Sequence, residues 1–188
     1  MSVRRRALSV CATGTAVAAL TLTTAPPAAA TDFPNQDLVN QASGGRLALF
    51  MDRVSEGATP VTLRDPAFAF STEAWDGFGS IANGEWTIEL KNRAANKCLQ
   101  PVDARPTRGG AVTVRNCNGS DTQKWSLQAE RVGGHPTGWW IWRPALNRNV
   151  ALTVKQYAED GRYETVYLDT SYPSSDRLWK LAHNDDAW

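Results

Sequence analysis

The chain has 188 residues, 42% of them hydrophobic and 21% charged, a balance that excludes a disordered or fibrous protein. The formal net charge is +1, but Arg4, Arg5 and Arg6 stand at the start and no acidic residue precedes Asp32. The rest of the chain is slightly acidic, which argues against nucleic acid as a partner. Eight Trp against two His and three Cys favour stacking and packing over a histidine-based metal site.

In chain order, residues 1–30 carry the pattern of a secretory signal peptide. A basic start through Arg6 leads into an apolar run diluted by Thr, and Pro26 and Pro27 break any helix there. Small residues Ala28, Ala29 and Ala30 supply a cleavage site near Ala30. The run is too short and too polar for a membrane span, and no later stretch is better. The mature protein is therefore expected to be secreted and extracellular. Cleavage removes Cys11 and leaves Cys98 and Cys117. Two cysteines in an oxidising compartment predict one disulfide. Closing a loop of about 20 residues contributes roughly 3 kcal/mol in the chain-entropy model.

The mature chain, 31–188, is predicted to be one domain of three repeats, about 33–84, 85–137 and 138–183. Trp75, Trp125 and Trp179 recur about every 50 residues, and other landmarks move with them. Each repeat opens on a short strand, at Asp37–Asn40, Thr87–Asn92 and Trp140–Arg143. A second follows at Leu47–Leu49, Lys97–Leu99 and Val150–Leu152. After a Gly turn comes an alternating strand, over 59–64, 111–115 and 165–169, and then the Trp strand. Alternation at Ile88/Leu90 and Val112/Val114 is the period of a half-buried strand. Gly and Pro interrupt the chain too often for long helices. An all-β chain of about twelve short strands is predicted.

Cys98-Leu99, Gly109-Gly110, Val112-Thr113-Val114, Cys117-Asn118-Gly119 and Gln123-Lys124-Trp125 resemble one repeat of the ricin-type β-trefoil lectins. The resemblance covers roughly residues 33 to 183. The first and third repeats lack the cysteines and close on Glu73-Ala74-Trp75 and Arg177-Leu178-Trp179. It implies a β-trefoil with pseudo-threefold symmetry, and a glycan or glycoconjugate as partner. The family's galactose-binding residues are not retained. The Asp place holds Phe50, Gln100 and Thr153; the aromatic place holds Arg64, Arg115 and Asp169; the Asn place holds Thr72, Thr122 and Asp176.

Trp75, Trp125 and Trp179 are expected to fill a shared core. Sugar binding needs an aromatic face and a carboxylate or amide that bridges hydroxyls. Gln100, Asp103, Arg115 and Asn118 are one candidate set in the second repeat, and Asp52 occupies nearly the place of Asp103 in the first. Trp140 and Trp142 share one strand face and form a second candidate. They are expected to point away from the core, near one of Tyr157, Tyr163 and Tyr167. Phe78, Tyr157, Tyr163, Tyr167 and Tyr172 are further candidates, each more readily a packing than a binding residue. His135 falls in a turn by composition, His183 has no nucleophile motif beside it, and no cofactor or metal motif appears. A non-enzymatic lectin-like protein without cofactors is predicted. The alternative is a protein- or cell-binding module such as a toxin accessory subunit with degenerate sugar sites.

Overall fold

The alternating apolar positions form twelve strands in the described residues. The computed structural model describes residues 30–64, 69–82, 85–155 and 162–183. The segment before Ala30, expected to be a signal peptide, and the candidate Tyr157 lie outside the described residues. The strands fall into three groups of four. The first is β1 (Ala30–Asn40), β2 (Arg46–Leu49), β3 (Pro60–Leu63) and β4 (Trp75–Ala82). The second is β5 (Glu85–Asn92), β6 (Lys97–Pro101), β7 (Val112–Asn116) and β8 (Lys124–Val132). The third is β9 (His135–Pro144), β10 (Val150–Val154), β11 (Tyr163–Thr170) and β12 (Leu178–His183).

The first and last strands of each group pair antiparallel in the circular order β1, β4, β5, β8, β9, β12 and back to β1. They close a six-stranded barrel. The middle strands make three hairpins, β2–β3, β6–β7 and β10–β11. Each hairpin leaves the barrel after Asn40, Asn92 or Pro144. Those residues pair with Trp179, Trp75 and Trp125 respectively, so all three hairpins sit at one end.

The hairpins also bind one another in a circle. Gly57 N donates to Val114 O at 2.9 Å, and Val114 N to Ala58 O at 3.2 Å. Gly109 N donates to Leu168 O at 2.7 Å, and Leu168 N to Gly110 O at 2.9 Å. Tyr163 of β11 pairs with Leu63 of β3. In each case the turn or start of a hairpin's second strand meets the second strand of a neighbouring hairpin.

The closing tryptophans clamp hairpin to barrel. Trp75, Trp125 and Trp179 have no exposed surface. Their indole Nε1 atoms donate to Leu47 O at 2.8 Å, Leu99 O at 3.0 Å and Leu152 O at 2.9 Å. A single 3-10 turn precedes each of them, at Ser71–Glu73, Asp121–Gln123 and Ser175–Arg177. The last residue of each turn is a buried polar group with its own partner. Glu73 pairs with Arg46 at 2.6 Å, Gln123 Nε2 donates to Asn116 O at 2.9 Å, and Arg177 pairs with Asp169 at 2.8 Å.

Trp140 and Trp142 share a face, but that face is the barrel interior. This corrects the expectation that they point away from the core. Trp142 is 1% exposed and stands opposite Leu127, as Leu90 stands opposite Gly77 and Leu38 opposite Leu181. One layer further from the hairpins, Trp140 stands opposite Ala129, Ile88 opposite Gly79 and Gln36 opposite His183. A third-repeat residue at an equivalent position meets the same interior. Trp139 takes the other face, packing on Ile141, Ala151 and Leu178 under Lys180. The His135 turn is also one step off. Gly133 and Gly134, both at positive φ, make the two-residue turn, and His135 already pairs with Val132.

Candidate functional site

Beside the first hairpin, Phe50, Asp52, Val61, Leu63, Phe70 and Tyr163 line a hollow of about 450 Å³. β2 ends at Leu49, and Phe50–Asp52 form a short 3-10 turn with Met51 at φ 55°. That turn holds the Phe50 ring 4.9 Å from the Tyr163 ring, edge to face. The Tyr163 backbone is fixed by its pairing with Leu63. Asp52 accepts from Ser71 N, Ser71 Oγ and Thr72 N at 3.2, 2.9 and 2.9 Å. Partial burial pushes its carboxyl up, but those donors more than offset it and hold it below the ordinary carboxylate range. The hollow thus joins three aromatic side chains, Phe50, Phe70 and Tyr163, to an ionised carboxylate, with Arg162 at its edge. Sequence reasoning placed Phe50 only as a lost Asp and Tyr163 only as a candidate partner of the tryptophans. Their meeting depends on pairing between β3 and β11, a hundred residues apart.

The second-repeat set is brought together only in part. Gln123 donates to Gln100 Oε1 at 2.9 Å and accepts from Asn118 N at 2.8 Å, so Gln100 and Asn118 share one partner. Asn118 Oδ1 takes Ser120 N in a local turn. Arg115 faces Glu56 instead, at 3.9 Å, and Asp103 is exposed. Cys98 and Cys117 form a disulfide. Glu89 approaches the pair, but sulfurs joined to each other offer no thiolate for a metal.

In the third repeat, Asp169 ties the hairpin to the turn before Trp179. It accepts from Arg108 Nε at 2.7 Å and Arg177 Nη2 at 2.8 Å, and the Tyr167 hydroxyl lies 3.4 Å away. Burial pushes its carboxyl up, yet the Thr170 amide and the two guanidiniums hold it below the usual range. Tyr172, half exposed, lies over Arg177 at 4.2 Å. Trp140 and Trp142 are not near these tyrosines. Tyr163 and Tyr167 belong to the hairpin cluster, while the tryptophans lie in the barrel.

No family model matches the chain, and no curated protein matches it. Solved structures do. A designed 3-fold symmetric protein, ThreeFoil, matches with a TM-score of 0.64 and 21% identity, over 78% of this chain and 96% of that one. The Rhizoctonia solani agglutinin matches at 0.59 and 14%, over 85% and 98%. The Haemophilus ducreyi cytolethal distending toxin matches at 0.59 and 15%, over 79% and 82%. At these identities the likeness is one of fold.

Proposed function

We propose that this chain is a β-trefoil of the ricin type, secreted and non-enzymatic, that binds carbohydrate through the hollow on its first hairpin. The observation that carries the reading is the Phe50–Tyr163 pair beside the Asp52 carboxylate. An aromatic face takes the C–H side of a sugar ring, and an ionised carboxylate takes its hydroxyls. The barrel with three hairpins and the likeness to an agglutinin support it. The disulfide fits an oxidising compartment. Among the described residues no helix is long and apolar enough to cross a membrane.

A protein or cell-surface partner is the alternative. Met51, 63% exposed, borders the hollow with apolar surface, and the likeness to a toxin favours the same reading. A glycan array at low salt, followed by titration calorimetry, separates the two. Hits with Kd of about 1 to 100 μM that weaken about tenfold in Phe50→Ala support the sugar reading. A blank array overturns it and leaves the protein-binding reading.

A further inference from the structure

At the barrel end remote from the hairpins the interior is underfilled. In that layer Trp140 stands opposite Ala129, and Ile88 opposite Gly79. The short partners add a methyl group and a hydrogen. Ile88 does not make up the volume, because it leans toward the hairpins. A Cβ on Gly77, one layer nearer them, would lie 2.9 Å from Ile88 Cδ1 and 3.3 Å from Phe33 Cβ. What remains is a cavity of about 450 Å³, walled mostly by Phe33, Trp86, Leu127, Trp140, Trp142 and Leu181. Phe33, Leu127, Trp140 and Leu181 are only partly buried. The cavity therefore opens at the mouth of the barrel, one of the places where small-molecule sites form.

The chemistry of the wall limits what fits. Among the described residues no charged side chain lines the cavity, so an ion entering it would lose hydration without gaining a counter-charge. Gln36, also in the wall, has its amide nitrogen on Pro34 O at 2.8 Å. Trp142 differs. It is 1% exposed, and its buried Nε1 has no acceptor among the described residues. Trp75, Trp125 and Trp179 are buried as deeply, and each donates to a carbonyl. A buried donor left unpaired is costly. A hydrocarbon would fill the cavity and leave that donor orphaned, whereas a ligand with an acceptor would satisfy it.

We propose that the mouth of the barrel binds a small, neutral, largely apolar molecule with one hydrogen-bond acceptor, such as an aromatic ketone. Its body lies against the aromatic wall, and its acceptor takes the Trp142 indole N–H. The cavity is within the size range of small-ligand sites. It shares no residue with the hollow of the first hairpin, so failure of either site leaves the other standing.

The test titrates the purified protein with acetophenone, with ethylbenzene, which has nearly the same shape but no acceptor, and with benzoate, which is charged. The indole N–H signals are followed by NMR, that of Trp142 being assigned by its loss in Trp142→Phe. Acetophenone should bind saturably and move the Trp142 indole proton downfield, as a new hydrogen bond does. Ethylbenzene should bind about tenfold more weakly and without that shift, and benzoate more weakly still. Trp142→Phe keeps a ring but removes the donor, and should lower acetophenone to the affinity of ethylbenzene. Leu127→Trp, which fills the cavity, should abolish both. A Trp142 signal that does not move downfield with acetophenone in the native protein overturns the proposal, whatever the variants do. So does binding of ethylbenzene or benzoate as tight as that of acetophenone, or acetophenone binding that survives in a folded Leu127→Trp variant.

Discussion

Replacing Trp125 by Phe tests the clamp that joins hairpin to barrel. The indole is wholly buried and donates to Leu99 O at 3.0 Å. Phe keeps one ring in the core but removes the donor. The orphaned carbonyl costs about 1 to 3 kcal/mol, and the lost ring atoms leave a small void worth about 1 kcal/mol more. A loss of about 2 to 4 kcal/mol follows, a fall in Tm of about 4 to 16 °C for a chain of this size. Trp125→Ala adds a full cavity and should cost about 5 kcal/mol or more. Because the substitution removes a fluorophore, urea unfolding is best followed by far-UV circular dichroism, with the slope m unchanged. Trp75→Phe and Trp179→Phe should fall in the same range, since their burial and bonds match. An unchanged midpoint in Trp125→Phe would refute the clamp, and so would binding lost at full stability.

The Cys98–Cys117 bridge should appear in the intact protein as a mass two hydrogens short, and its reduction should lower stability by roughly 3 kcal/mol in denaturant titration; two alkylatable thiols before reduction contradict it. The folded carboxyl of Asp169 sits below its unfolded value, so its contribution is present above about pH 4 and is lost as pH falls through the lower folded value. Thermal melts between pH 6 and 2.5 should therefore flatten in Asp169→Asn, which also loses about 1 to 3 kcal/mol at neutral pH because Arg177 is buried. Trp139→Ala should cost less than Trp142→Ala in parallel melts, because Trp139 is only partly buried on the outer face whereas Trp142 is 1% exposed inside the barrel.

Repetition made the framework legible. Trp75, Trp125 and Trp179 mark the same place three times, and the Gly turns and alternating strands fall around them as their spacing requires. The face of Trp140 and Trp142 was not legible from alternation alone, because a period of two names two faces without saying which is inner. The repeats held the missing signal. Leu38, Leu90 and Trp142 stand two residues before Asn40, Asn92 and Pro144, and two plain leucines in the first two repeats mark the third as core. The Phe50–Tyr163 hollow lay beyond reach for a different reason. It forms between the first and third repeats, and nothing local in either names the other.

The circle of hairpin bonds has a kinetic meaning. No hairpin is complete until its neighbour is in place, and the last link joins distant parts of the chain, as where Thr62 donates to Glu164 across 102 positions. Long loops must close before those bonds form, so entropy is lost early and recovered late. Refolding should therefore be slow, on the order of milliseconds to seconds. Its transition state should already span all three repeats, with no single repeat able to nucleate alone.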